Sequence, residues 1–332
     1  MDNTTVNQEM SDNSIETVYD SPFGKKIKKS TRVKEKFIKY FFAANGLTAL
    51  IFIILIFIFL FKEGFRAFEH IGFLDFIYSD HAKGDIITRV YEWYPTSSFA
   101  RYSLIPLILG TLVTAIPATI ISTIFGVVAG IYLSEIADPR LKEFLKPMIE
   151  LFAGIPTVVL GFIMLVVGAT FFDNFLHPEN RLNAFIAALG LSFVIIPIIA
   201  SLTEDALNSI PKDLRMASYG LGATKWQTIS RVILPAAFSG VSASVILGFG
   251  RAIGETMIVL MASGNAANMT TNMFKSVRTM TATIAAEMGE VSQGSEHYFA
   301  LFFIGIVLFT ITFILNLIAE IIISKMRKKN SF

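Results

Sequence analysis

A chain of 332 residues that is 53% hydrophobic and only 16% charged is too apolar for the soluble domains its length would allow, and reads as a polytopic membrane protein in a lipid bilayer. Its formal net charge of +2 is too small to point to nucleic acid. The absence of cysteine excludes a disulfide framework and thiolate metal ligands.

In chain order, residues 1–24 are polar without apolar periodicity and are expected to be disordered. Within 25–39, eight Lys or Arg stand against one acid, Glu35. Attraction to anionic lipid accounts for such a membrane-flanking cluster, so 1–36 is read as a polar, basic tail. No small-residue cleavage site follows, which argues against a signal peptide. A first transmembrane helix is placed at 37–62, around the run ALIFIILIFIFLF, which at ~1.5 Å per residue suffices to cross a bilayer. Residues 63–103 form an extracytoplasmic segment in which Trp93, Tyr94 and Pro95 suit either an interfacial aromatic belt or a docking surface. A transmembrane domain is placed at 104–325 and a short basic tail at 326–332. Within that domain, apolar segments at 104–133, 148–172, 183–202, 237–262 and 299–323 bring the spans to six and the fold class to all-α. Pro106, Pro117, Pro156 and Pro197 fall inside spans, which bundle packing tolerates. Gly126 and Gly130 form a GxxxG pair suited to close helix packing. The stretch 278–290, RTMTATIAAEMGE, favours a short helix at the outer surface.

With both termini cytoplasmic, the cytoplasmic pieces carry 19 Lys or Arg and the outer pieces 8. The positive-inside rule therefore places the ends, and the polar stretch 204–235, in the cytoplasm.

That polar stretch lies between two long apolar segments and keeps helical periodicity. Leu207, Ile210, Leu214, Ala217 and Leu221 recur three and four apart. Pro211 fits a first helical turn, and Gly222 stops the helix as a glycine just beyond the C-cap does. Thr224 and Gln227 have the spacing of a capping box for a second helix, with Trp226, Ile229 and Ile233 as its apolar face and Pro235 as its end. Glu204 and Asp205 are read as charges near a helix N-terminus.

The next apolar segment contains Gly248-Phe249-Gly250-Arg251-Ala252-Ile253-Gly254-Glu255-Thr256. Arg251 and Glu255 are four apart and are expected to pair on one helix face. Charge at membrane depth is costly and faces a cavity or a partner. Two readings stay open: a buried ion pair that fixes helix register, and an oxyanion path in which Arg251 makes bidentate contact with phosphate and Glu255 accepts a hydrogen bond from the acidic proton of hydrogen phosphate. The surrounding glycines give a ligand or another backbone room to approach. No G-x-x-x-x-G-K-[ST] run occurs, so no ATP cradle is expected. His70, His81, His177 and His297 lack metal-ligand spacing and are read as solvated. No hydrolytic constellation is seen, so no catalytic residue is assigned and the chain is read as a non-enzyme.

The spacing of Met216-Ala217-Ser218, three residues, Gly222, nine residues, Val232, one residue, then Leu234-Pro235 resembles the "EAA" signature of ABC importer permeases. Met216 replaces its Glu, Ser218 an Ala and Val232 an Ile. The resemblance implies that Met216, Ala217, Ser218, Gly222, Ala223, Leu234 and Pro235 belong to a coupling helix that docks into an ATP-hydrolysing subunit. RAIGETM at 251–257, IELFAGIPTVVLG at 149–161, GTLVT at 110–114 and YLSEIA at 132–137 resemble permeases of the phosphate-specific transport (Pst) system, within the MetI-like superfamily. VRTMTATIAAEMGE followed by Glu296-His297-Tyr298 is closer to the C-type (PstC) subunit than to its A-type partner.

The resemblance covers about 40–325. It implies a type I importer core with six spans in the cell inner membrane. It also implies a PstA-like permease, a PstB-like ATPase dimer that binds the ATP and Mg, and a PstS-like phosphate-binding protein as partners. Arg251 and Glu255, with Thr256 beside them, are then the residues that meet inorganic phosphate. Sulfate or molybdate as cargo, an ion-coupled secondary transporter, and a phosphate-sensing scaffold are the alternatives.

Overall fold

The structure, a computed structural model, describes residues 29–83 and 86–330, with side chains for 35–79, 89–321 and 323–324. The disorder expected at 1–24, the start of the basic cluster at 25–28 and the end of the tail at 331–332 lie outside these described residues, as do the side chains of 29–34 and 326–330. Residues up to Phe59 form one unit and Leu60–Phe332 a second. Helix α1 (Lys29–Phe65) makes up the described part of the first unit and runs on to Phe65; within that unit it exposes Phe41, Ile51, Phe52 and Ile56 around its circumference, as a rod solvated by hydrocarbon would. Its Asn45 amide and Thr48 hydroxyl donate to the carbonyls of Phe41 and Ala44, at 2.8 Å each, so neither is left unsatisfied in an apolar run.

The second unit begins with a short helix α2 (Ala67–His70) and a 3-10 turn (Phe73–Phe76). Two antiparallel strand pairs follow, a departure from the purely helical expectation. β1 (Ser79–Lys83) pairs with β2 (Ile86–Val90), Ser79 opposite Val90. β3 (Trp93–Tyr94) pairs with β4 (Arg101–Tyr102), Trp93 opposite Tyr102. The β-branched and aromatic residues of ITRVYEWY suit pleated backbone.

The bundle comprises α3 (Ile105–Ile131) with a π turn (Tyr132–Ile136), α4 (Pro139–Ala153), α5 (Thr157–Ile163), a π turn (Met164–Gly168) and α6 (Ala169–Leu176), and α7 (Ala184–Asn208). After it come α8 (Lys212–Gly220), α9 (Lys225–Thr228) with a π turn (Ile229–Ile233), α10 (Leu234–Gly254), α11 (Met257–Ala262), α12 (Met280–Glu287) and α13 (Glu296–Asn330). Among the described residues, six helical stretches are long and apolar enough to cross a membrane: Glu35–His70, Ile105–Ile136, Thr157–Leu176, Ala184–Asn208, Lys225–Gly254 and Glu296–Ile321.

α7 is the central post, with Ile195, Ile199, Ala187 and Leu207 buried. The GxxxG pair sits against it as expected: a Cβ on Gly126 would meet Ile199 at 2.8 Å, and one on Gly130 would meet Thr203 at 2.7 Å. Between spans, the Ser122 hydroxyl donates to the Ser192 carbonyl at 3.2 Å, and Thr203 and Ser244 share a hydroxyl bond of 3.1 Å.

Three boundaries and the placement of one helix differ from the sequence expectation. The third span starts at Thr157, because Gly154 caps α4 and Pro156 caps α5. α4 is therefore a separate amphipathic helix with no buried residue, exposing Leu141, Phe144, Met148 and Leu151. The fifth span ends at Gly254, because Glu255 turns extended (φ −71°, ψ 134°). Pro235 does not end a helix: it follows the π turn directly, in the first turn of α10. The helix expected in 278–290 forms, but it does not lie on the surface. Met280, Ala282 and Thr283 of α12 are fully buried, and a Cβ on Gly110 of α3 would run into the Arg278 carbonyl just before it. α11, the intervening loop and α12 thus fold back into the bundle.

Candidate functional site

The first candidate site is the elbow made by α8 and α9. α8 closes in a Schellman turn: the Gly222 N–H donates to Tyr219 at 2.9 Å and the Ala223 N–H to Ser218 at 3.2 Å. Gly222 sits at φ +81°, a conformation that favours glycine. The expected capping box is present: the Thr224 N–H donates to Gln227 Oε1 at 2.9 Å, and the Gln227 N–H to Thr224 Oγ1 at 3.3 Å. Ser218, a departure from the Ala of the signature, is buried, and its hydroxyl bonds Thr228 Oγ1 at 2.9 Å. That bond locks the two arms of the elbow together. Ile229 and Ile233 are buried as expected, but Trp226, assigned to the same buried face, is 67% exposed.

The expected apolar stripe divides. Leu207 is buried in the bundle and Ile210 half-buried, whereas Leu214, Ala217 and Leu221 are exposed; Leu221 reaches 90%, and Met216 beside the stripe is exposed too. Leu234 packs on the cluster of Leu207, Ile233, Ala237 and Val241 at the elbow's root. Pro235 beside it is exposed.

Glu204 is corrected. It stands near the C-terminal end of α7, where the helix dipole disfavours a carboxylate. Its buried side chain is held instead by Lys142 and Lys146 of α4, at 2.6 Å each, and by the Asn208 amide. Lys146 also pairs with Asp205 at 2.9 Å. Hydrogen bonds to Glu204 and then Asp205 hold the Lys146 ammonium above its usual pKa range.

The second candidate site is at the break between α10 and α11. Arg251 and Glu255 pair at 3.3 Å, though not on one continuous helix face, because Glu255 lies beyond the end of α10. The Glu255 side chain is 5% exposed and that of Arg251 47%. Glu255 is well anchored: Oε1 accepts the Met257 N–H at 3.2 Å, and its carbonyl accepts the Thr281 hydroxyl at 2.8 Å. The Met280 N–H in turn donates to Thr111 of α3 at 3.1 Å. Among the described residues, no other group pairs with the Arg251 guanidinium. Thr256, partly buried, reaches the Gly254 carbonyl only at 3.5 Å. The two glycines differ in use. A Cβ on Gly248 would press on Ile195 and Ile199 at 2.9 Å, whereas one on Gly254 would meet open space. The site is a half-exposed cation with a buried carboxylate behind it and free room at Gly254.

A third cluster was not foreseen. Trp93, read as a belt or docking aromatic, is 1% exposed, and its Nε1–H donates to Glu287 at 3.0 and 3.3 Å. Glu287 also pairs with Arg278 and lies 2.8 Å from Nε2 of His297. His297 is therefore bound, not solvated. These residues line a cavity of about 470 Å³ with Tyr94 and Asn265. Burial of Glu287 opposes its ionisation, but bonds from His297 and Trp93 and the charge of Arg278 prevail and hold its pKa below the usual carboxylate value. A carboxyl lowered on folding stabilises the fold fully above its unfolded pKa of about 4.3, and loses that stabilisation as pH falls through the folded value. In a Trp226→Phe background, acidification below about pH 4 is therefore expected to red-shift Trp93 fluorescence. Glu287→Gln should show the red shift already at neutral pH.

Six helical stretches apolar and long enough to cross a membrane, with an exposed polar elbow between two of them and one charged pair at the end of a span, make the architecture of a multi-pass membrane permease. Residues 123–328 match the family described as "Binding-protein-dependent transport system inner membrane component". The chain belongs to that family. It is 37% identical to the "Probable ABC transporter permease protein YqgH" of Bacillus subtilis, over 70% of this chain and 76% of that one. It is 33% identical to the "Phosphate transport system permease protein PstC" of Haemophilus influenzae, over 74% and 82%.

Among solved structures, its fold is similar to a bacterial ABC transporter that imports the polysaccharide alginate (TM-score 0.59, 15% identity, 89% of this chain and 99% of that one). It is also similar to the inward-facing MetNI methionine ABC transporter (TM-score 0.53, 19% identity, 65% and 93%). The chain is thus a MetI-like ABC importer permease, and permeases of this class are non-catalytic membrane subunits that work with another permease, an ATPase and a binding protein.

Proposed function

We propose that the cargo is inorganic phosphate and that the chain is the C-type permease of a phosphate importer. In this reading, a PstA-like permease completes the path, a PstB-like dimer binds ATP and Mg, and a PstS-like protein delivers phosphate. The chain itself holds no cofactor. The observation that carries the reading is the Arg251–Glu255 site. A guanidinium left 47% exposed within a span is too costly to face hydrocarbon, so it faces a polar path. Its planar fork suits two phosphate oxygens, and the anchored Glu255 can accept a hydrogen bond from the P–OH group that hydrogen phosphate retains. Sulfate has no such proton and meets only repulsion. Thr256 supplies a hydroxyl beside them. The names of relatives such as the Haemophilus influenzae PstC support the same cargo.

The exposed face of the elbow, with Met216, Ala217, Gly222, Ala223 and Leu221, docks into the ATPase, and Ser218, Leu234 and Pro235 root it. The Lys and Arg asymmetry supports a cytoplasmic elbow and cytoplasmic termini. ATP binding closes the ATPase dimer, the elbow moves with it, and α7 and α10 turn the path at Arg251 outward to receive phosphate. Hydrolysis resets it. In liposomes holding the full complex, uptake of radiolabelled phosphate is expected to persist under an excess of sulfate or molybdate. Competition by either at equal concentration would reassign the cargo.

A further inference from the structure

We infer that Arg215 is the positioning residue that makes the elbow and the ends of two spans a single lever. The inference rests on the reading of α8 as the element that an ATPase moves. Among the described residues, Arg215–Glu135 is the sole ion pair that joins α8 to a span. One guanidinium reaches three chain segments. Its NH2 group donates to Glu135 Oε1 at 2.6 Å, in the π turn that ends α3, and to the Leu207 carbonyl at 2.9 Å, near the end of α7. NH1 donates to the Ile210 carbonyl at 2.7 Å, and Nε lies 3.4 Å from Glu135 Oε2. The side chains are largely buried, at 17% and 7% exposure, so salt screens the pair little.

Arg215 thereby caps the carboxyl end of α7, where carbonyl oxygens lack helical partners, and bonds the carboxylate that ends α3. The neighbouring contacts brace the same junction without touching α8. The Ser134 hydroxyl donates to Asn208 Oδ1 at 2.9 Å, and Lys142 and Lys146 clamp Glu204.

The consequence is mechanical. α8 is joined to α7 through the short link at 209–211 and to α9 through the turn at Gly222. Both links are bends that can absorb a push on the exposed face at Leu214 and Leu221. Arg215 spans the first of them and adds a direct tie to α3, which the chain path reaches only through α4 to α7. With the tie in place, a displacement of α8 carries α3 and α7 along. Without it, α8 pivots, and ATP is spent with little cargo moved. Lysine is no substitute: a single ammonium cannot present three divergent donors in one plane.

The test uses the full complex in liposomes with its binding protein, with ATP hydrolysis and phosphate uptake measured on the same vesicles. Arg215→Met, Arg215→Lys and Glu135→Gln are compared with the parental chain. Expected are unchanged co-purification with the ATPase, hydrolysis within about twofold, and phosphate moved per ATP lowered roughly tenfold in Arg215→Met. Smaller losses of the same ratio are expected in Arg215→Lys and Glu135→Gln. Hydrolysis and uptake falling in parallel in all three would mark a merely structural role and overturn the inference, as would an unchanged ratio. If Arg215→Met fails to assemble, the isosteric Glu135→Gln decides the question by the same ratio. A parental complex that hydrolyses ATP without moving phosphate would instead overturn the reading of the cargo or of α8 itself.

Discussion

Gly222→Asp is expected to abolish co-purification of the ATPase and all ATP-driven uptake while leaving the chain in the membrane and folded. The backbone at Gly222 is left-handed, φ +81°, and a Cβ there meets nothing within 4 Å. The substitution therefore creates no clash inside the bundle. Its conformational cost is ~1–2 kcal/mol, too little to unfold the packed bundle. The carboxylate does the larger damage. Beside Gly222 stand Leu221, 90% exposed, and Trp226, 67% exposed, large apolar side chains that become buried once a partner covers the elbow. An unpaired charge desolvated in such a contact costs several kcal/mol, enough to remove a complex of ordinary affinity. Gly222→Asn separates the two terms. Asparagine tolerates the left-handed conformation and carries no charge, so most co-purification should remain. Equal loss in both variants would mean that the turn's shape, not the covered apolar surface, is what the partner reads.

The next largest effect is expected at Arg251 and Glu255. Arg251→Lys keeps the charge but loses the fork. A hydrogen bond to a charged group is worth ~1.5–3 kcal/mol, so phosphate uptake should fall roughly 10- to 150-fold while binding-protein-stimulated ATP hydrolysis persists. Glu255→Gln keeps an oxygen for the Met257 N–H and leaves the carbonyl that Thr281 holds untouched. The local fold should survive it. What changes is the repulsion that excludes a fully deprotonated anion, so sulfate should become a competitor of phosphate. Parental uptake and parental discrimination in both variants would leave the pair as a device that fixes the end of α10 and nothing more.

These sites differ in how much of them the residues announced. The elbow was legible because its signals are local: the Schellman glycine and the Thr224–Gln227 box depend on neighbours within a few positions. The Arg251–Glu255 pair was legible because charge inside an apolar run has few excuses. Its geometry was not, since the helix breaks at Gly254 only when Glu255 finds Met257 and Thr281 as partners, the latter 26 positions away. Pro235 was misread as an end because a π turn that prepares a proline leaves no local mark. The third span was drawn too long because α4 carries enough apolar residues on one face to pass for membrane sequence. Trp93 was assigned to a belt because its partner Glu287 lies 194 positions away. Nothing near an aromatic residue tells whether its N–H meets water or a buried carboxylate. Arg215 was counted only as a cytoplasmic charge for the same reason, its partner Glu135 lying 80 positions back.

The most direct measurement is phosphate uptake into liposomes that hold this chain with its companion permease, the ATPase and the binding protein, set beside liposomes that hold this chain alone. Uptake only in the complete system, and only with hydrolysable ATP, is the expected result. Phosphate entering through the chain by itself, driven by an ion gradient and indifferent to ATP, would contradict the account.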